Sequence, residues 1–257
     1  TPPQYGKVAI TVKPYGSVAL ISDTLKNDII YYLTLKSLTT EPIIIDPEYF
    51  YIRIDSNVYY DKMNSTQSQQ QILAEVQQSV VTYNNTYLND FGSTFRYSKL
   101  INTIDNSSSA IVGSDTKTWM IKRWSPLTQT SQTLTFSFNN ELHHEEILYA
   151  LPNGHELTVF SSPFNFVSNN VTYSAYLGDD GLGTLNVYTN LNIDNINTRT
   201  LLSYAGTVDY YKGDVFVSSN VYSYTGDHIS IYGLLKINDI TVSKNQFLII
   251  DNQDVTI

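Results

Sequence analysis

His143-His144-Glu145-Glu146 is the densest run of metal-ligating side chains in the chain, and His155 lies eleven residues beyond His144. A zinc-peptidase helix needs two imidazoles four residues apart so that both share one face. Adjacent histidines in a strand point to opposite faces and cannot chelate one ion. The run therefore reads as an exposed polar stretch, with a metal site as the competing reading. Asp179-Asp180-Gly181-Leu182-Gly183 has the acids and glycines of a Ca²⁺ loop but neither alternating ligands nor a terminal Glu, so it reads as a hairpin turn. Asp46, Glu48, Asp55 and Asp61 are the carboxylates available for a glycosidase-type pair. Three of them fall at strand edges or outward positions and read as solvated. Nucleophile-elbow, P-loop and dinucleotide fingerprints are all missing. The chain contains no cysteine, which excludes disulfides, thiolate metal sites and a Cys nucleophile. No catalytic residue, metal or cofactor is expected.

Composition points the same way. Hydrophobic residues make up 42% of the 257 residues and charged residues 15%, below the usual ~25%. Asn, Ser, Thr and 21 Tyr carry the polar balance, which suits strands and uncharged wet surfaces. The net charge of −9, with Lys122-Arg123 as the nearest approach to a basic run, disfavours a nucleic-acid groove. No apolar run approaches the ~20 residues of a membrane helix. The chain opens on Thr1-Pro2-Pro3 rather than Met and is expected to be a processed product or a fragment. Asn64, Asn84, Asn106 and Asn170 head glycosylation-type tripeptides, matches that so Asn/Ser/Thr-rich a chain produces by chance.

The elements that must position any site divide in two. Alternation predicts a strand through Val8, Ile10 and Val12, ending at Pro14 and the turn Tyr15-Gly16. Ser22 or Asp23 then caps a helix with Leu25, Ile29 and Leu33 on one stripe. Two strands follow, separated by Asp46-Pro47. A second helix runs from Ser65 or Thr66 to about Tyr83 with Ile72, Val76, Val80 and Tyr83 inward, and Ser98 caps a third, short one. Beyond Trp124 only short alternating runs remain, with hairpin signals at Asn153-Gly154, Asp180-Gly181 and Lys212-Gly213. The prediction is an α+β fold. A sandwich-like domain over 1–124 (strand–helix–strand–strand–helix) precedes a β-rich antiparallel domain over 125–257.

The stretch from Thr40 to Asp61 is the most distinctive. Phe50, Ile52, Ile54, Val58 and Tyr60 share one strand face, expected to pack under the Leu25–Leu33 helix. Tyr49, Tyr51, Arg53, Asp55, Asn57 and Tyr59 fall on the other. Tyrosine combines large contact area with a wettable hydroxyl, so Tyr49, Tyr51, Arg53 and Tyr59 are the candidate subunit interface. In each of Tyr31-Tyr32, Tyr59-Tyr60 and Tyr210-Tyr211, one ring is expected in the core and the other outward.

Tyr5–Pro14, Thr39-Thr40-Glu41-Pro42, Asp46-Pro47-Glu48-Tyr49, Phe95–Leu100, Asp179–Gly183 and Gly206–Tyr210 together resemble the baseplate wedge subunit of T-even-like contractile-tail phages, the gene-product-six, baseplate J-like family. The resemblance implies a non-enzymatic virion protein of the tail baseplate, here its C-terminal portion. That portion forms an inter-wedge ring around the tail tube and rearranges when sheath contraction is triggered. Its implied partners are itself, as homodimer or ring contacts, and other wedge proteins, without nucleic acid or membrane. The competing reading is a carbohydrate- or receptor-binding β-rich module, with exposed Trp119, Trp124 and clustered Tyr stacking on sugars.

Overall fold

The computed structural model describes residues 6–14, 20–37, 39–63, 65–144, 156–193, 196–242 and 246–257. The expected turns at Tyr15-Gly16 and Asn153-Gly154 lie outside these residues, as do Asn64, Glu145, Glu146 and His155.

Strand β1 (Lys7–Thr11) runs parallel to β2 (Glu41–Ile45), and α1 (Asp23–Lys36) connects them. The Ser22 hydroxyl accepts from the Leu25 amide, while Asp23 in the first turn and Lys36 in the last complement the helix dipole. This pair forms its own two-stranded sheet, and α1 buries none of its residues fully. The expected cover of Phe50, Ile52 and Ile54 by α1 is therefore wrong. After Pro47 the chain leaves β2 and enters a different sheet as β3 (Glu48–Tyr60).

Burial along β3 alternates over its whole length: Phe50, Ile52, Ile54, Ser56 and Val58 are buried, and their neighbours are not. Two other helices cover this face. Helix α2 (Gln69–Tyr83) starts at Ser68, later than expected, because Ser68 and Gln71 form a capping box. It buries Ile72, Val76, Val80 and Tyr83, and a π-helical turn at Asn84–Leu88 extends it to the buried Leu88. After β4 (Thr94–Phe95) comes α3 (Tyr97–Asp105), which buries Leu100 and Ile104. Ser98 does not cap α3. Its first amide, that of Tyr97, is taken by the Asp239 carboxylate, which also pairs with Arg96 at 2.8 Å. These side chains and Phe50, Ile52, Ile54 and Val58 belong to one core.

Strand β5 (Ile111–Trp124) lies antiparallel to β3, with Ile52 opposite Met120 and Arg53 opposite Trp119. Only strands follow among the described residues: β6 (Ser131–Ser137), β7 (Val159–Ser161), β8 (Phe164–Ser168), β9 (Val171–Asp179), β10 (Thr184–Ile193), β11 (Ile196–Asp209), β12 (Asp214–Asn220), β13 (Ser223–Tyr224), β14 (Ile229–Leu234), β15 (Ile240–Thr241) and β16 (Gln246–Thr256). The main sheet has the order β16-β3-β5-β14-β7-β9-β10-β11-β12-β6, with β8 and β13 to one side. Every described pairing in it is antiparallel except β16 with β3. The α+β, β-rich reading holds. After β5 no described helix occurs, while the main sheet itself runs across residue 124.

The far half of the sheet curls, bringing Phe136 of β6 back to within 6.1 Å of the Trp124 ring. The turns at Asp180-Gly181 and Lys212-Gly213 join β9 to β10 and β11 to β12 as expected. At Gly213, φ is +71° and an added Cβ would lie 2.0 Å from the Asn140 carbonyl oxygen, so only glycine fits.

Candidate interaction surface

Strand pairing fixes which side chains share the outer face of the sheet. Tyr51 lies opposite Ile121, and Ile121 opposite Tyr232; Arg53 lies opposite Trp119, and Tyr232 opposite Phe160. In parallel register, Phe247 accompanies Tyr49 and Ile249 accompanies Tyr51. A continuous aromatic and aliphatic row therefore crosses five strands on the side away from α2 and α3.

Cations cover this row. The Arg123 guanidinium lies 3.5 Å from the Tyr51 ring centre, and its far end pairs with Asp251 at 2.7 Å. Arg53 lies 5.6 Å from the Tyr232 ring centre and bonds Asp55 at 2.6 Å. Beneath them Tyr232 stacks on Phe160 at 4.7 Å, and Phe160 meets Trp119 edge-on at 5.0 Å. Tyr49 stacks on Phe247, and burial pushes its hydroxyl above the usual phenol range. That hydroxyl is buried without a hydrogen-bond partner, as is the Trp119 indole N–H. Flat guanidinium–ring packing holds charge over apolar surface and leaves ring edges available for contact.

Of the four predicted interface residues, Tyr49, Tyr51 and Arg53 come together here. Tyr59 does not join them. It lies about 20 Å beyond Arg53 along β3 at ~3.3 Å per residue, past a depression of about 200 Å³ lined by Asp55, Asn57, Asp115, Lys117, Glu156 and Asp254. It is strongly exposed and forms a separate aromatic point. Trp119, Ile121, Arg123, Phe160 and Tyr232 were not predicted as part of the surface. The alternation Trp119, Ile121, Arg123 carried the signal for three of them.

Trp119 and Trp124 are both buried, contrary to the exposure that the sugar-stacking reading needs. Five positions apart on one strand, they face opposite sides and share no groove. Of the tyrosine pairs, Tyr210-Tyr211 follows the expected one-in, one-out pattern, and Tyr60 is half-buried beside exposed Tyr59. Tyr31 and Tyr32 are both exposed.

The other sequence candidates are dispersed. Asp46 pairs with Lys26 at 2.8 Å, Glu48 bonds Gln246 at 2.9 Å, Asp55 bonds Arg53, and Asp61 accepts from the Met63 amide. His144 stacks on Tyr210 at 4.4 Å with Nε2 3.2 Å from the Gly181 carbonyl. Among the described residues no group of three or more His, Asp or Glu is placed to hold a metal ion, and no helix is long and apolar enough to cross a membrane. One carboxylate read as part of a turn is in fact buried. Asp179 accepts from the Val159 amide at 2.9 Å and from the Tyr210 hydroxyl at 2.7 Å. Burial pushes its carboxyl, and the Tyr210 hydroxyl with it, above their ordinary ranges. It holds three segments together.

Residues 48–123, from the start of β3 to the last turn of β5, match the family model described as baseplate structural protein gp6, C-terminal domain III. This segment is similar to the gp6 baseplate family. The resemblance read from the sequence is thereby borne out, and it covers β3, α2, α3 and β5, the unit that builds the helix-covered core. Proteins of the family are structural parts of the phage baseplate, which places the chain in the tail of the virion. No curated protein matches the chain. In the gp6-type segment the two faces of the sheet differ. One is the core, and the other carries Tyr49, Tyr51, Arg53 and Trp119.

Proposed function

We propose that the chain is a non-enzymatic wedge subunit that meets neighbouring baseplate subunits through the outer face of β3. Tyr49, Tyr51 and Arg53 form the main contact and Tyr59 a second point. In this reading copies of the chain contribute to an inter-wedge ring around the tail tube, which rearranges when sheath contraction is triggered, and they also contact other wedge proteins. Neither nucleic acid nor membrane takes part.

The observation that carries the reading is the outer row itself. Rings are pre-positioned by strand pairing and clamped by Arg53 and Arg123, so little side-chain freedom remains to be lost on docking. Tyr and Arg are the residues most enriched at interface centres. The family match supplies the setting in which such a face is used.

The test is co-expression of the Tyr51→Ala variant with the other wedge proteins of the same phage, followed by affinity capture and electron microscopy of assembled wedges. A contact at the centre of an interface predicts at least ~30-fold weaker capture, the equivalent of ~2 kcal/mol, with unchanged circular dichroism. Capture and assembly indistinguishable from the unmodified chain would remove this face from the interface.

A further inference from the structure

We infer that the free edge of β6 is a self-complementary seam at which two copies of this chain join their sheets, a step that rests on the proposed self-association and says where it occurs. The two ends of the main sheet are built differently. At one end, β16 carries a register break between Ile250 and Asn252 and acidic Asp251 and Asp254. The Ile250 amide there is already bonded by the Asn84 side chain, and Gln69 bonds the Ile257 carbonyl. A bulge, charges and a covering helix are the devices by which proteins block edge-to-edge pairing.

At the other end, β6 pairs with β12 in unbroken register and with no second strand among the described residues. Its sequence, Ser-Gln-Thr-Leu-Thr-Phe-Ser, has no charge, no Pro and no Gly, in a chain of net charge −9. An edge without charge can meet its own copy with no like-charge repulsion.

The phase of the ladder defines the register. The Phe138 amide bonds the Gly213 carbonyl at 2.8 Å. Alternation then turns the backbone groups of Gln132, Leu134 and Phe136 toward β12 and those of Ser131, Thr133, Thr135 and Ser137 away from it. A two-fold antiparallel pairing centred on Leu134 engages all four outward residues. Thr133 then faces Thr135 of the second copy, and Ser131 faces Ser137 of the second copy. Leu134, 39% exposed at present, meets its own counterpart at a non-hydrogen-bonded position, where cross-strand side chains approach most closely.

The absence of cysteine makes the test clean. Leu134→Cys, oxidised in a glutathione buffer, is expected to give a disulfide-linked dimer on a non-reducing gel, since facing residues there approach disulfide distance. Thr135→Cys alone is expected to give little, and a mixture of Thr133→Cys and Thr135→Cys chains a mixed dimer. Thr135→Pro removes an outward N–H and should weaken association at least tenfold by light scattering. Thr133→Lys serves the same purpose if the proline variant misfolds by circular dichroism. A dimer in solution without the Leu134→Cys cross-link would overturn the β6 seam and leave self-association standing at another face. A monomer at every concentration would overturn both.

Discussion

Tyr210→Phe isolates one hydroxyl whose loss the fold should feel. The Tyr210 hydroxyl donates to Asp179 at 2.7 Å, and Asp179 is 1% exposed, so solvent cannot replace the lost donor. Leaving a buried acceptor without its donor costs ~1–3 kcal/mol, and phenylalanine keeps the ring packing. The expected loss is about 2 kcal/mol at neutral pH, or a melting-temperature drop of about 4–8 °C for a chain of this size. The effect also has a pH signature. Burial raises the folded-state carboxyl pKa above its unfolded value, while the Tyr210 bond opposes that rise. Asp179 thus contributes most favourably when protonated, below its unfolded pKa. That contribution is lost as pH rises through the raised folded value. Removing Tyr210 raises the folded value further, so the variant's deficit must be small in acid and grow as pH rises through the folded value. Thermal unfolding of both proteins at several pH values measures this difference directly, with exposed Tyr211→Phe as the control, expected within ~0.5 kcal/mol. A deficit that is absent at every pH, or larger in acid, would refute the reading that the Tyr210 bond opposes the rise of the Asp179 pKa.

Three further substitutions test the elements that present the surface. Gly213→Ala combines a left-handed φ with a 2.0 Å approach to a carbonyl oxygen, so it should cost more than about 2 kcal/mol by denaturant unfolding. Ser68→Ala removes the capping box of α2 and should cost about 1 kcal/mol. Asp239→Ala uncaps α3 from across the chain and should cost a similar amount, while increasing hydrogen exchange at the Tyr97 amide above that seen in Ser68→Ala.

What was legible in the sequence is what short-range periodicity encodes. The alternation of β3 and the Ile72, Val76, Val80, Tyr83 stripe of α2 both appear where expected, because each follows from one element having one buried face. The start of α2 was placed too early, at Ser65 or Thr66, because the Ser68–Gln71 capping box was not read. Contacts between distant segments were not legible. Packing α1 on β3 looked natural because they are close in sequence, yet the break at Asp46-Pro47 sends β3 to a different sheet and leaves its cover to α2 and α3. The Asp239 cap of α3 and the return of β16 to β3 join residues well over a hundred positions apart, and no local pattern announces either. Asp179 sits in an acid–glycine turn motif whose burial depends on β7 and on the turn after β11. At the surface, Tyr49, Tyr51 and Arg53 were readable from one strand. Trp119 was misread as exposed because its cover comes from neighbouring strands.

The continuity of the main sheet bears on how such a subunit could take part in a change of state. The parallel pairing of β16 with β3 closes the last described strand onto the first strand of the gp6-type segment. The β5–β14 ladder ties that segment to the curled half, from Trp119 opposite Leu234 to Trp124 opposite Ile229. Bending the sheet between its halves would break this ladder and open the core beneath Met120 and Trp124, which both halves share. Packed cores switch between discrete arrangements and do not deform smoothly. Under the proposed assembly role, the cheaper motion is therefore rotation of whole chains about contacts at their surface. The aromatic face of β3 and the outer edge of β6 lie on different parts of one continuous sheet, so a change at one seam would be carried to the other as a lever arm.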